Sequence, residues 1–243
     1  MSLRQKNGLL MVPTPDGLEI GIAARRANTI DYSDESPRIR RREKELLGAH
    51  IGAPTRAILM LNQVHGDEIV DIETVPAGDP PTIADADGMI TSLRDVCLVI
   101  RTADCVPVFV YDAARRVLGA AHSGWRGCRL DIAGKLVEHM VRRYGSCPGE
   151  LDAFILPGIG PGSYTVNEDV ASHFPGHLTW ENGSIRLDLP GCILASLSRR
   201  GLSPDRILTA GRCTLEESDE FFSHRAGSSG RNLNFGLMPG NTG

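Results

Sequence analysis

VCLVIRTADCVPVFVYDAARRVLGAAHSGWRG, residues 96–127, contains three short apolar segments that are separated by turns. The segments cover residues 96–100, 106–110 and 117–121, and each is almost continuously apolar. Short runs of this kind are typical of strands that are covered on both faces of a sheet. Pro107 has no backbone N–H to donate, so we expect its strand to lie at an edge of the sheet or at a bulge.

Helical periodicity is clearest over residues 129–144, where apolar side chains recur at three- and four-residue spacing. Gly145 and Pro148 follow directly and predict the end of that helix. Because the loop 124–127 directly precedes it, we expect this loop near the helix N-terminus, where free backbone N–H groups attract anions. A second amphipathic helix is predicted over residues 189–200.

The N-terminal part of the chain is expected to add a strand over residues 18–24 and a helix after it. This helix is predicted to begin with Ser36 or Asp34 as its cap and to stop at Gly48. Further short strands are predicted at residues 56–62, 69–73, 88–91, 151–156 and 206–210. Because strands and helices are mixed without a linker or an internal repeat, we predict one mixed α/β (α+β) domain over residues 1–243.

Composition and charge argue against several classes of protein. The net charge of −4 gives no global attraction to nucleic acid or anionic membranes, and the basic run 38–44 is expected to be a solvated helix face. No apolar run approaches the ~20 residues needed to span a bilayer, and the N-terminus lacks the apolar core of a signal peptide. The six cysteines show no CxxC spacing, which argues against a disulfide framework and a closed structural zinc site. We therefore expect a cytoplasmic protein.

Three side chains beside predicted strand ends carry the most chemistry. Cys105 and His122 lie at the ends of consecutive strands, and His65 follows another buried strand. A His/Cys/His set without a fourth ligand is the inventory of an open catalytic zinc site, where zinc would lower the pKa of a bound water towards ~7. The alternative is a Cys–His nucleophile pair, which requires a third group that orients the imidazole. His65 favours the metal, because such a pair has no use for a second histidine.

Charged residues near these positions suggest an anion site. Asp104 directly precedes Cys105, and an unpaired carboxylate is costly to bury. Arg126, Arg225 and Arg231 lie in or beside glycine-bearing loops, and arginine forks suit phosphate or carboxylate groups. Neither a Walker sequence nor a GxGxxG fingerprint that opens a helix is present.

Six short motifs follow one another in order. They are Asn62-Gln-Val-His65, Ala84-Asp-Ala-Asp-Gly-Met-Ile-Thr91, Thr102-Ala-Asp-Cys105, His122-Ser-Gly-Trp-Arg-Gly127, Gly158-Ile-Gly-Pro161 and Phe221-Phe-Ser-His-Arg225 with a later Gly230-Arg231. Together they resemble the multicopper polyphenol oxidase (laccase-domain) family, which is better described as a family of zinc-dependent purine nucleoside phosphorylases. The motifs end at Arg231, and we carry nothing over beyond it.

The resemblance implies a domain in which mixed sheets are flanked by helices in α/β/β/α layers. It also implies a zinc ion held by His65, Cys105 and His122. Family members cleave adenosine, inosine, guanosine and methylthioadenosine with phosphate, and they also deaminate adenosine. The older laccase name implies copper and phenol oxidation, but this chain has no His-x-His pair from which to build a multicopper cluster.

The leading hypothesis is therefore a zinc-dependent purine nucleoside phosphorylase with adenosine deaminase and methylthioadenosine phosphorylase activity. Cys105 and His122 would act at the metal, and Asp104 would handle a proton. The residues expected to bind substrate or phosphate are Gln63, Arg126, Arg225 and Arg231. Three alternatives remain: a Cys–His hydrolase or amidase acting on a cell-wall precursor or protein amide, a copper-containing polyphenol oxidase, and a non-catalytic interaction or metal-buffering module.

Overall fold

The computed structural model describes residues 1–15, 17–30, 32, 37–80 and 82–240. The helix caps predicted at Ser36 and Asp34 lie outside these residues. The strands are β1 (Arg4–Lys6), β2 (Leu9–Met11), β3 (Glu19–Ala23), β4 (Ile58–Met60), β5 (Ile69–Ile72), β6 (Gly88–Thr91), β7 (Cys97–Thr102), β8 (Val106–Asp112), β9 (Val117–Ser123), β10 (Asp152–Ile155), β11 (Thr165–Val166), β12 (Leu178–Glu181), β13 (Ser184–Leu187), β14 (Ile207–Thr209) and β15 (Asn232–Leu237). The α-helices are α1 (Pro37–Ile51), α2 (Trp125–Arg129), α3 (Ile132–Tyr144), α4 (Glu168–Ala171) and α5 (Leu189–Arg199).

Two six-stranded mixed sheets are stacked face to face. The first has the strand order β1-β2-β3-β15-β7-β4, and the second has the order β14-β10-β8-β9-β6-β5. A small three-stranded sheet, β11-β13-β12, is separate from both. Parallel pairs (β4 with β7, β5 with β6, β10 with β14) occur beside antiparallel ones, so both large sheets are mixed.

The hydrophobic core has three layers. Ile100 of the first sheet and Phe109 of the second belong to the layer between the sheets. On the outer face of the second sheet, α3 and α5 contribute Leu136 and Leu197. On the outer face of the first sheet, α1 contributes Leu47 to the third layer. This confirms the α/β/β/α layering that the resemblance implies.

The chain passes from one sheet to the other three times at the same end of this sandwich. Residues 61–68 lead from β4 to β5, residues 103–105 lead from β7 to β8, and residues 210–231 lead from β14 back to β15. The ends coincide because β4 is parallel to β7, while β15 is antiparallel to β7 with Asn232 opposite Thr102. These three crossings form the walls of the candidate site.

Pro107 lies neither in an edge strand nor at a bulge of the β8–β9 ladder, contrary to the sequence-based prediction. Its strand β8 lies in the interior of the second sheet, between β9 and β10. Pairing with β10 ends at Val108, which lies opposite Ile155, so Pro107 falls just beyond that ladder. A missing N–H is tolerated at this position because no registered pair of the β8–β10 ladder needs it.

Gly48 does not end α1, which continues to Ile51. A Cβ atom at Gly48 would lie 2.6 Å from the carbonyl oxygen of Ala53, so glycine is required where the chain folds back on the helix. The strand predicted at residues 56–62 is also shorter than expected, because Thr55–Ala57 form a 3₁₀ turn before β4.

The helix predicted over residues 129–144 begins later, at Ile132, and the preceding Trp-Arg loop is itself the short helix α2. Gly145 ends α3 in the left-handed conformation, as expected. The largest omission is β15, which lies in the first sheet between β3 and β7. No helix among the described residues is long and apolar enough to cross a membrane.

Candidate metal site and substrate cavity

Three potential metal ligands converge where the chain crosses between the sheets. His65 lies on the first crossing, Cys105 lies on the second, and His122 lies near the end of β9. The ligand atoms of the three residues all lie within 4.8 Å of one another. The two imidazole rings meet edge to face, with 4.9 Å between their centroids and 74° between their planes. The structure thus brings together the three residues that the sequence singles out.

The carboxylate of Asp87 positions both histidines. Asp87 Oδ1 lies 2.7 Å from His122 Nδ1. Asp87 Oδ2 accepts hydrogen bonds from the backbone amides of Val64 (3.0 Å) and Gly66 (2.7 Å), on either side of His65. An ionised carboxylate only accepts hydrogen bonds, so we assign the proton to His122 Nδ1, which leaves Nε2 as the ligand atom. The two amide contacts also fix His65 at its positive φ of 61°.

The charges of this group stabilise one another. Burial alone would raise the pKa of Asp87, but hydrogen bonds from His122 and from the Gly66 amide lower it. Burial also opposes ionisation of Cys105, yet the nearby His122 lowers the pKa of the thiol. Burial likewise opposes protonation of His122, whose pKa is nevertheless raised by Cys105 and Asp87. The environment therefore favours the thiolate, which is the form of cysteine that binds metals.

Because Gly124 has no side chain, there is room beside it for the Cys105 thiol. A Cβ atom at Gly124 would lie 2.8 Å from Cys105 Sγ and 3.5 Å from His65 Cδ2. Its φ of −78° and ψ of 179° are open to any residue, so glycine is needed here for space and not for backbone freedom. The glycine of the Ser-Gly-Trp motif thus has a steric role beside the thiol.

The three side chains fit a zinc ion. Zinc with nitrogen ligands at ~2.0–2.1 Å and a sulfur ligand at ~2.3 Å would place tetrahedral ligand atoms about 3.5 Å apart. Ligand atoms within 4.8 Å of one another need only small side-chain movements to reach that separation. Two imidazoles and one thiolate are also donors that suit zinc, and three protein ligands leave the open position of a catalytic site.

This group opens into a cavity of about 670 Å³, within the size range of small-molecule sites. Among the described residues that line it, five are arginines: Arg40, Arg101, Arg126, Arg225 and Arg231. Two of these cations lie over aromatic rings. The guanidinium carbon of Arg126 lies 4.5 Å from the ring centroid of Trp125, and that of Arg225 lies 5.1 Å from that of Tyr164. The cavity therefore combines flat aromatic surfaces with positive charge.

Asp104 uses its carboxylate to position a distant segment. Its Oδ1 accepts a hydrogen bond of 2.7 Å from Thr214 Oγ1, and its Oδ2 accepts one of 2.8 Å from the backbone amide of Arg225. Its backbone carbonyl accepts from the amide of Ile159 at 2.7 Å. These contacts hold the segments around Ile159 and Arg225 beside the cavity. A role for Asp104 in proton handling stays a prediction.

Gln63 lines the cavity, but its amide group is engaged with the backbone. Gln63 Nε2 donates to the carbonyl of Arg101, and the amide of Arg101 donates to Gln63 Oε1, both at 2.8 Å. The side chain thus ties the first crossing to the end of β7. Direct substrate binding by Gln63 stays a prediction.

Four residues of the site were not identified from the sequence: Asp87, Tyr164, Arg40 and Arg101. Asp87 directly precedes β6, and a carboxylate at a strand end inside a recognised motif was a usable signal. Arg101 is a single charged residue at the end of an otherwise apolar run, and this was a second usable signal. Arg40 belongs to the basic run 38–44, which is not simply a solvated face, because the neighbouring Glu43 and Lys44 are buried.

The fold and the site define a two-sheet α/β/β/α protein with a His–Cys–His group, suited to hold a metal, in an arginine-rich cavity. The chain belongs to the family "Multi-copper polyphenol oxidoreductase laccase", whose family model matches residues 21–238. This result bears out the family resemblance of the motifs.

Relatives and solved structures agree with this assignment. A purine nucleoside phosphorylase of Deinococcus radiodurans is 36% identical over 211 residues, which cover 84% of this chain and 79% of the relative. A purine nucleoside phosphorylase of Xylella fastidiosa (strain Temecula1) is 30% identical over 240 residues, covering 92% of this chain and 85% of the relative. The crystal structure of YlmD from Geobacillus stearothermophilus is similar with a TM-score of 0.86 and 27% identity, over 98% of this chain and 99% of that one.

Proposed function

We propose that this protein is a zinc-dependent purine nucleoside phosphorylase that also deaminates adenosine and cleaves methylthioadenosine. The observation that carries the proposal is that the His–Cys–His group and five arginines face a single cavity of about 670 Å³. Such a cavity suits a substrate with a flat base together with an anionic co-substrate. The relatives named purine nucleoside phosphorylase support the phosphorylase part of this proposal.

His65, Cys105 and His122 would hold the zinc ion. A bound zinc ion would supply Lewis-acid polarisation and a water of lowered pKa. Asp87 would keep the proton on His122 Nδ1 and so keep the other ring nitrogen available as a ligand. Copper is less suited, because the described residues offer one group of three ligands and not a multicopper cluster.

The stacked pairs of the cavity would bind the nucleoside. Trp125 with Arg126 and Tyr164 with Arg225 present aromatic and guanidinium planes, both of which stack well on a purine. The arginines would also stabilise negative charge that develops as the glycosidic bond breaks. Asp104 would contribute by holding the Arg225 backbone in place. We further propose that residues 1–243 act as one domain in the cytoplasm, on small molecules and without a nucleic-acid or membrane partner.

The test is to incubate the purified protein with adenosine, with and without phosphate, and to separate the purines by chromatography. Phosphorolysis gives adenine only when phosphate is present, whereas deamination gives inosine in either case. Chelation should abolish both products, and added zinc should restore them. If the zinc-loaded protein yields no adenine, inosine or hypoxanthine, the proposed function is wrong.

A matched pair of cysteine variants separates the metal site from general damage. Cys105→Ser removes the thiolate of the group and should lose both zinc and activity. Cys147→Ser changes an exposed thiol away from the cavity and should retain both. Retention of a stoichiometric zinc ion by Cys105→Ser would show that this thiol is not a ligand.

A second candidate function is a Cys–His hydrolase or amidase, and Asp87 is the observation that favours it. Cys105, His122 and Asp87 supply a thiol, an imidazole and an orienting carboxylate, which is the arrangement that nucleophilic catalysis requires. This function predicts that a thiol alkylator abolishes activity on amide substrates while a chelator leaves it intact. If a chelator instead abolishes the turnover of adenosine, the hydrolase function is excluded in favour of the phosphorylase.

A further inference from the structure

Four of the five arginines that line the cavity fall into two pairs that are held in different ways. Arg126 and Arg225 lie over aromatic rings, as described above. Arg40 and Arg101 instead meet at Glu43, a fully buried carboxylate of α1. Arg101 Nε lies 2.7 Å from Glu43 Oε2, and Arg40 Nη1 lies 3.8 Å from the same oxygen.

A chain of hydrogen bonds connects Glu43 to the segment that carries Arg231. The hydroxyl of Tyr32 donates to Glu43 Oε1 at 2.9 Å, and Asn28 Nδ2 donates to that hydroxyl at 2.6 Å. Asn28 Nδ2 also donates to the backbone carbonyl of Arg231 at 2.8 Å. Burial raises the pKa of Tyr32 well above its ordinary range, so the hydroxyl keeps its proton and donates it to Glu43. One buried network thus positions the backbone of Arg231 and the side chains of Arg40 and Arg101.

This network aims the Arg101 guanidinium at the cavity. Its side chain is only 10% exposed, and Nε is committed to Glu43. Among the described residues, its two Nη groups donate to none, although Arg101 lines the cavity. A rigid fork of N–H donors at a cavity wall is the arrangement that binds tetrahedral oxyanions. Among the described lining residues, Asp104 is the single acidic side chain. Both of its carboxylate oxygens already accept hydrogen bonds.

We propose that Arg40, Arg101 and Arg231 form a phosphoryl-binding subsite, distinct from the stacked pairs that would hold the base. The ligand is either inorganic phosphate, as the co-substrate of phosphorolysis, or the 5′-phosphate of a purine nucleotide. The assignment of inorganic phosphate as the ligand rests on the proposed function, because only a phosphorylase consumes this anion. Binding of the anion itself does not depend on turnover and can be measured separately.

The experiment compares Arg40→Gln with Arg42→Gln in the zinc-loaded chain of 243 residues. Both residues lie on α1, but Arg42 is exposed and does not line the cavity. Titration calorimetry with inorganic phosphate and with AMP measures binding directly. Loss of one charge-assisted hydrogen bond should weaken anion binding roughly tenfold or more in Arg40→Gln. Arg42→Gln should bind as the wild type does.

Steady-state kinetics provides the second measurement. Arg40→Gln and Arg231→Gln should raise the KM for phosphate roughly tenfold while leaving the KM for inosine within about twofold of wild type. If AMP binding is weakened and phosphate binding is not, the subsite takes the nucleotide. Arg101→Lys retains the charge but not the fork, and should have an intermediate effect if its thermal unfolding matches that of the wild type.

Two outcomes would refute the proposed phosphoryl-binding subsite. One is unchanged affinity for both phosphate and AMP in Arg40→Gln and Arg231→Gln. The other is a loss of equal size in Arg42→Gln, which would show that general positive charge is responsible. A wild-type protein that binds phosphate through Arg40 but never cleaves a nucleoside would refute the proposed function and leave the subsite standing.

Discussion

Adding one methyl group at Gly124 should disrupt metal binding, although the backbone dihedral angles at this position are open to alanine. The new Cβ in Gly124→Ala would lie 2.8 Å from Cys105 Sγ. Ordinary contacts between such atoms are about 3.5–4.0 Å, so the sulfur or the loop must move by about 0.7 Å or more. Metal–ligand distances tolerate only about ±0.2 Å. The added methyl group therefore occupies space that the Cys105 thiolate needs if the three ligand atoms are to close around a metal.

The expected result is a loss of zinc affinity of at least tenfold, which corresponds to about 1.4 kcal/mol. Competition titration with a chromophoric chelator measures this affinity, and denaturant unfolding of the metal-free protein checks the fold. Gly66→Ala is the matched control on the other side of the site. Its Cβ would meet Asp87 Oδ2 and Val64 Cγ2 at 3.6 Å, which is an ordinary contact, so zinc affinity should stay within about threefold of wild type. Equal affinities of the two variants would refute the steric reasoning.

Three further predictions concern the charges and packing around this site. Asp87→Asn should weaken zinc binding by about 10–100-fold, because an amide cannot accept from both His122 and the backbone amides; unchanged affinity in the same titration would contradict this role. In metal-free protein, alkylation of Cys105 should persist below the ordinary thiol pKa of about 8.5, because His122 lowers the pKa of this thiol and keeps the thiolate populated as pH falls. Iodoacetamide rates against pH, with Cys105→Ser to assign the signal, would contradict this if the midpoint were at or above that value. Gly48→Ala should cost about 1–3 kcal/mol of unfolding free energy, since its Cβ would meet a backbone oxygen at 2.6 Å; a loss below about 0.5 kcal/mol in denaturant unfolding would show that the chain can relax there.

Local sequence patterns predicted those residues of the site that lie close together in the sequence. Cys105 and His122 flank the antiparallel pair β8–β9, so adjacent apolar runs were enough to bring them together. His65 arrives from the first sheet, and only the ordered motifs linked it to the other two. Their role as metal ligands stays a prediction that the geometry permits.

The remaining features depend on contacts between distant segments, which periodicity does not encode. β15 lies beside β7 although about 130 residues separate them along the chain. Pro107 was expected at an edge or a bulge because its missing N–H was judged from its own strand alone. Whether that missing N–H is tolerated depends on where the neighbouring strand β10 stops pairing. Arg40 belongs to a run whose charges suggested a solvated helix face, and only its ion pair with the buried Glu43, about one helical turn away, shows its orientation.

The position of the site at the three crossings makes it depend on the stacking of the whole sandwich. Asp104 joins residues 110 and 121 positions further along the chain, and Glu43 meets Arg101 across 58 positions. No single supersecondary unit contains the ligands, their orienting carboxylate and the arginines together. A ligand that binds only the folded state at 100 times its Kd adds about 2.7 kcal/mol to the free energy of unfolding. Because this site exists only when both sheets are assembled, a bound metal would stabilise global folding and not one local segment.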